Sequence, residues 1–187
     1  MRFVTFNPFR TLGIPNVTYI KPENMFKEVE RIKEADFILF PEYWQVNALV
    51  YGLKKSIFPS ISTYHLGHNK VETTRVLQCT FPENVPYTKI MNSFGVTACD
   101  IEEEFEYPLV AKEIKNSMGR GVFLIENRDQ LQSYIDNNEV LYIQERLPID
   151  RDLRVVFVGD RVISAYWRIA PEGGFHNNIA KGASYDF

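Results

Sequence analysis

Residues 108 to 125 read PLVAKEIKNSMGRGVFLI. Lys112 stands in an apolar run with Leu109, Val110, Ala111 and Ile114, and an unpaired ammonium against such a surface is costly, so an anionic partner is expected beside it. The following NSMGRGV supplies Ser117, Gly119 and Gly121, small residues whose backbone N–H groups can wrap phosphate oxygens. The bland alternative is a β-hairpin with a glycine turn, its lysine reaching along the sheet to Glu113 or another carboxylate. Established phosphate loops do not decide between the two. GxxxxGKS/T is absent, Gly121 is followed by VFLI instead of completing GxGxxG, and a kinase places its glycine loop before the lysine.

Upstream, the chain alternates short apolar runs with helical spacings. RFVTF reads as a first strand; ENMFKEVERIKE puts Met25, Phe26, Val29 and Ile32 on one helical face. DFILFP is a short buried strand, VNALVYGL spaces Val46, Leu49, Val50 and Leu53 as a core-facing helix with Gly52 near its end, and IFPSI is the next strand. Strand, helix, strand, helix, strand calls for right-handed crossovers and a small parallel sheet over residues 1–65. HNKVETTRVLQC then reads as a helix and VPYTKI as a strand.

From about residue 95 the character changes. PLVAKEI, GVFLI, EVLYIQERL, LRVVFV and RVISAYW are strand-like, with one clear helix, RDQLQSYIDNN, among them. Asn127 and Gln130 make a capping-box arrangement for that helix, which buries Leu131, Tyr134 and Ile135. Gly159-Asp160 between two apolar runs signals a hairpin. The fold class is therefore α/β with an α+β second half carrying antiparallel strands.

A net charge of -3 with 45% apolar and 24% charged residues describes an ordinary globular chain with no field to attract nucleic acid. Cys79 and Cys99 form no CxxC pair, which fits a reducing compartment; His65 and His68 lack further metal ligands nearby and read as structural. No apolar run reaches the ~18 residues needed to span a bilayer, and MRFVTF enters a strand directly, so a cytoplasmic protein without membrane contact is expected.

The order of lysine strand, Ser/Gly loop, strand, helix, YIQERL, RDLRVVFVGDRVISAYWR and FHNNIAKGA resembles the ATP-grasp superfamily, most closely the RimK-type carboxylate–amine ligases. The resemblance runs from about residue 57 to the end and includes GHNKVETTRVLQ, similar to the family's helix-opening segment. It implies a pre-ATP-grasp domain over 1–65 and an ATP-grasp domain over 66–187, with a lid subdomain at about 85–145 and an incomplete C-terminal subdomain at about 146–187. It implies that Lys70 and Lys112 touch ATP phosphates beneath the Ser117–Gly121 backbone. Gln144, Glu145, Arg146 and Leu147 would form the hinge whose main chain reads adenine, and Asp152 would face the ribose. Arg154 and Arg168 would direct cations at the transferring phosphate and the substrate carboxylate, with Asn178 and Lys181 near the reacting groups. The bland readings are a solvated Lys70 and surface charge at RDLR; Arg168, closing an apolar run, is harder to place at random.

The implied activity is ATP-dependent amide formation between a carboxylate and an amine through an acyl phosphate, using ATP and Mg²⁺. The family's metal ligands follow NNIAKGA by some tens of residues, whereas Asp186 is the only acid after Glu172. A piece of a longer ligase is the expectation, with self-association into a homo-oligomer open. The alternative is a non-catalytic nucleotide-binding or scaffold protein on the same fold.

Overall fold

The computed structural model describes residues 1–115, 121–172, 174, 175, 177 and 182–186. It divides into two units, Met1–Asn69 and Lys70–Phe187.

In the first unit β1 (Phe3–Thr5), β2 (Val17–Tyr19), α1 (Val29–Glu34), β3 (Phe37–Leu39), α2 (Tyr43–Asn47), β4 (Ile57–Phe58) and α3 (Ile61–His68) follow in order. The strands form one sheet in the order β2-β1-β3-β4, every pair parallel, as the alternating sequence requires. Val4, Ile38, Ile57, Met25, Ile32, Val46 and Leu49 meet in its core. Strand β2 escapes sequence reading because only Val17 of its VTY is part-buried. ENMFKEVERIKE is not one helix: a 3₁₀ segment at Pro22–Lys27 meets α1 at Glu28, whose φ of −111° breaks the helical phase. Met25 and Ile32 still reach the core, but Phe26 is turned out against Trp44. VNALVYGL begins as α2 and widens into a π-turn over Ala48–Gly52, burying Val46 and Leu49.

The second unit opens with α4 (Lys70–Thr80), then β5 (Thr88–Asn92), α5 (Ala98–Glu102), β6 (Leu109–Lys112), β7 (Val122–Ile125), α6 (Arg128–Asp136), β8 (Val140–Glu145), β9 (Arg151–Val158), β10 (Arg161–Ile169) and β11 (Ser184–Asp186). An antiparallel sheet runs β5-β8-β6-β7, and a second runs β11-β10-β9. On one face of the first, Leu109, Ala111, Leu141 and Ile143 pack with Ile101 of α5 and with Leu131 and Ile135 of α6. Helix α5 is absent from the sequence reading because five residues show no period; a reciprocal Thr97–Asp100 capping box defines it instead. At α6 the Asn127 side chain caps Gln130 N as expected, but the Gln130 amide oxygen accepts from Glu126 N, one residue before the cap.

Gly159 takes φ +62° in the β9–β10 turn, a conformation glycine adopts without steric cost. Pairing places Leu153, Phe157, Val162 and Trp167 on one face of the hairpin, where they are exposed, and Asp152, Arg154, Tyr166 and Arg168 on the other.

The helix-covered core carries a stability prediction. Leu131→Ala removes a fully buried side chain and is expected to cost about 2–5 kcal/mol in urea unfolding. Phe157→Ala on the exposed hairpin face is expected to cost less than about 1 kcal/mol.

Candidate functional site

Strand alternation sends Leu109 and Ala111 into the helix-covered core, so Val110 and Lys112 face the opposite side of the sheet. Gln144 lies opposite Val110 on β8 and opposite Thr88 on β5, while Ile90 lies opposite Tyr142. These side chains form a connected polar line. Lys112 Nζ donates to Gln144 Oε1 at 2.6 Å, and Gln144 Nε2 donates to Thr88 Oγ1 at 2.7 Å and to the Tyr142 hydroxyl at 3.5 Å. The Tyr142 hydroxyl meets Thr74 Oγ1 of α4 at 2.7 Å, which joins that helix to the sheet. Because the Gln144 amide nitrogen is held by Thr88, its oxygen is fixed toward the lysine.

The expected anion beside Lys112 is not a protein carboxylate. Among the described residues its partners are the Gln144 oxygen and the Tyr142 ring, whose centroid is 5.2 Å from Nζ. An amide oxygen and a π face solvate an ammonium without neutralising it. Burial therefore lowers the Lys112 pKa to about 8, and the charge of Lys70 lowers it in the same direction. Lys70, at the start of α4, donates from Nζ to Glu113 O at 2.8 Å; burial also lowers its pKa, opposed by the Glu113 carboxylate. Two part-buried cations are thus held within electrostatic reach of each other at the end of β6.

Tyr134 is the residue here whose role sequence reading missed. Read only as a core residue of α6, it directs its hydroxyl between two strands, donating to Lys112 O at 2.7 Å and accepting from Tyr142 N at 3.1 Å. The β6–β8 register ends at Ala111↔Ile143, and the hydroxyl bridges the next pair of residues. A buried tyrosine needs a partner for its hydroxyl, which is the only signal the sequence held.

A cavity of about 240 Å³ opens on this face. Lys112, Gln144, Glu145, Arg146, Leu147 and Asp152 line it together with Val110, Val122, Ile149, Gly174, Phe175 and Asn177. Lys112, the contiguous residues 144–147 and Asp152 thus meet around one cavity. Gly121 lies at the mouth of the hairpin, at φ +66°, and its carbonyl accepts from Glu113 N at 2.8 Å. Ser117, Gly119, Asn178 and Lys181 lie outside the described residues.

Arg154, Arg168 and Lys70 do not line the cavity. Arg168 pairs bidentately with Asp152, Nε to Oδ1 at 2.6 Å and Nη2 to Oδ2 at 3.0 Å, so the residue expected at the ribose holds the residue expected at the phosphate. Direct cross-strand pairing of positions 152 and 168 makes this contact, and linear sequence does not show it. Arg154 is exposed on the same face, opposite Tyr166. Asn177, which the sequence reading passed over for its neighbour, has a buried Oδ1 with no hydrogen-bond partner. A buried acceptor left unpaired costs about 1–3 kcal/mol, so this atom calls for a donor from a ligand.

Larger hollows in this unit suit a polyphosphate less well. One of about 570 Å³ between β7 and α6 is lined by no lysine or arginine among the described residues, and one of about 640 Å³ near Tyr107 sets Glu104, Glu106 and Glu145 against the single cation Arg146. Among the described residues there is no group of three or more His, Cys, Asp or Glu placed to hold a metal ion. In the cavity itself Glu145 accepts from Tyr87 N and Asp152 is paired to Arg168, so these residues do not fit a Mg²⁺ site.

The RimK-like ATP-grasp domain family matches residues 67–186, more than half of the chain. The chain belongs to the RimK-like ATP-grasp family. Among curated relatives, the alpha-aminoadipate–LysW ligase LysX of Saccharolobus solfataricus is 32% identical over 125 residues, 62% of this chain and 44% of that protein. The ribosomal protein bS6–L-glutamate ligase of Escherichia fergusonii is 36% identical over 109 residues, 54% of this chain and 36% of that protein. The matches thus span less than half the length of either relative. The fold agrees with a RimK domain ATP-grasp protein of Sphaerobacter thermophilus (TM-score 0.63, 16% identity, 90% of this chain and 73% of that one). It agrees also with a D-alanine–D-alanine ligase of Bacillus anthracis (TM-score 0.67, 16% identity, 100% and 69%). As an ATP-grasp domain, the chain has its mixed parallel and antiparallel sheets accounted for by family, and the lysine of β6 lies in the part the family match covers.

The lowered Lys112 pKa gives a signed prediction. Between about pH 8 and 10.5 the unfolded chain holds this proton and the folded chain has released it, so unfolding free energy rises with pH across that window. Lys112→Met is expected to abolish this part of the slope in urea titrations at pH 7.5 and 10. Tyr134→Phe removes the bridging hydroxyl and is expected to cost about 1–3 kcal/mol and to displace the Lys112 titration midpoint, read by nitrogen-detected NMR of the lysine side chain.

Proposed function

We propose that this chain supplies the nucleotide-binding part of an ATP-dependent carboxylate–amine ligase. The observation that carries the reading is Lys112, an ammonium built into a part-buried polar line, without a counter-charge among the described residues and facing a cavity. A polyphosphate would restore the missing charge and raise the lysine pKa again. Lys70 adds a second cation, the 117–121 backbone closes above, and the main chain of 144–147 reads the adenine edge. Asn177 Oδ1 takes a donor from the sugar or base, the parts of ATP that carry donors. The domains fall as a pre-ATP-grasp part over 1–65 and an ATP-grasp part over 66–187.

In the first step a carboxylate oxygen attacks the γ-phosphorus and the bond to the β-phosphate oxygen breaks, giving an acyl phosphate and ADP. In the second an amine nitrogen attacks the acyl carbon, loses a proton and expels phosphate, leaving an amide. The protein's share is positioning and charge stabilisation, for which Lys70, Lys112, Arg154 and an Arg168 released from Asp152 are the cations, with Asn178 and Lys181 beside the reacting groups. Mg²⁺ is the family's companion to ATP, and no group of three or more acidic, histidine or cysteine side chains among the described residues is placed to hold it. The carboxylate and the amine are those of small molecules or of a protein tail; the names of the relatives include both LysW and ribosomal protein bS6. No helix among the described residues is long and apolar enough to cross a membrane, and the free, exposed Cys79 and Cys99 suit the cytoplasm.

A second reading, nucleotide binding without catalysis, is favoured by the Asp152–Arg168 pair and by the lack of a metal cluster among the described residues. Calorimetric titration of the full chain with ATP tests the binding that both readings share, and ADP release separates them. Binding is expected, weakened at least tenfold by Lys112→Ala and by raising the pH well above 8. Absence of binding by the intact chain sinks both readings; binding without ADP release in a mixture of amino acids and Mg²⁺ leaves the non-catalytic one.

A further inference from the structure

The first unit carries a cavity of its own, about 340 Å³, within the usual range for small-ligand pockets. It lies beyond the carboxyl ends of the parallel strands. In the order β2-β1-β3-β4, the chain leaves β1 toward one edge of the sheet and β3 toward the other, so a crevice opens between their ends. Ligands of open parallel sheets bind at this kind of switch point. The buried Thr5 hydroxyl, 3.1 Å from Leu39 O, ties the two strand ends together beneath it.

Each connection from this end of the sheet brings one component. The segment after β1 brings Arg10, whose guanidinium sits 5.5 Å from the centroid of the Phe40 ring and has no carboxylate partner among the described residues. Glu42, the acid on the segment after β3, is committed elsewhere: its side chain accepts from Gln45 N in the capping box of α2. Tyr43 of α2 and His68 of α3 stack at 3.7 Å, interplanar angle 20°, and make one flat wall of the cavity. Thr63 adds a hydroxyl, and no acidic side chain lines the space.

Phe40 is held in the left-handed region at φ +50°, which costs a bulky non-glycine residue about 1–3 kcal/mol and persists only where its surroundings impose it. Its N–H donates to Phe58 O at 2.6 Å, and the two rings meet edge to face at 5.5 Å. The strain therefore sets the ring on which the Arg10 guanidinium rests. Burial raises the pKa of Tyr64, another lining residue; the Arg10 charge opposes that rise and the Glu42 carboxylate adds to it, so both charges are felt at the cavity wall.

We propose that this crevice is a binding site for a small organic oxyanion, a carboxylate or phosphate monoester bearing a planar group, with Arg10 as its anchor and the Tyr43–His68 stack as the face for the plane. The proposal is independent of the nucleotide reading and stands if that reading fails.

The test is an amide NMR titration of the full chain with benzoate, phenyl phosphate and inorganic phosphate. Saturable shifts at Thr63, Gly67 and His68 are expected with benzoate or phenyl phosphate, and which of them binds more tightly names the anionic group. Arg10→Ala and Arg10→Gln, both at an exposed position, are expected to weaken binding at least tenfold, while Lys112→Ala leaves it unchanged. The proposal is overturned if none of the probes saturates, if inorganic phosphate binds as well as the planar compounds, or if both Arg10 variants bind like the parent.

Discussion

An ammonium held at the end of β6 between an amide oxygen and a tyrosine face is a charge without a counter-charge among the described residues, and much of the second unit is arranged around it. Its backbone carbonyl is bound by Tyr134, its head by Gln144, and Gln144 is in turn oriented by Thr88 and Tyr142. The line reaches α4 through Thr74, so the helix that carries Lys70 is registered to the strand that carries Lys112. Every link is a buried or part-buried hydrogen bond, where losing a partner carries a cost. The cost of keeping this cation in a part-buried setting is visible in its lowered pKa.

The two faces of the β5-β8-β6-β7 sheet divide the labour. Leu109, Ala111, Leu141 and Ile143 face α5 and α6 and provide the core, while the residues between them in sequence carry polar chemistry. A period of two places both sets on the same strands with no conflict, so the packing that stabilises the unit also fixes the strand positions from which Lys112 and Gln144 project. The hairpin of β9 and β10 repeats the division: Asp152, Arg154 and Arg168 share one face, and Leu153, Phe157 and Trp167 share the exposed other. The Asp152–Arg168 pair is part-buried and bidentate, a geometry that holds Arg168 in place.

The first unit shows the same economy at a smaller scale. Its parallel strands end at one edge, and the strained Phe40 lies where a change of chain direction already opens a crevice. Strain of that kind survives because Phe40 N–H and its ring are both fixed by Phe58, and it holds Arg10 in a position that a relaxed turn would not.

The sequence by itself carried the alternation of strands and helices in the first unit, the antiparallel second half, the Gly159-Asp160 hairpin and the Asn127 cap, because each depends on neighbours within a few residues. It also carried Lys112 and the hinge residues 144–147 as candidates, through the order of several short motifs. It did not carry β2 or α5, whose few residues show no period, nor the outward turn of Phe26, which follows from a phase break at Glu28. Only the tertiary structure decided what the charges do. Arg168 meets Asp152 through strand register, Tyr134 reaches Lys112 across a helix–sheet contact, and Lys112 finds an amide oxygen where an anionic partner was expected. Local patterns encode dihedral preferences and burial, whereas the partner of a charged or hydroxyl group is set by which distant residue the fold brings within three ångströms.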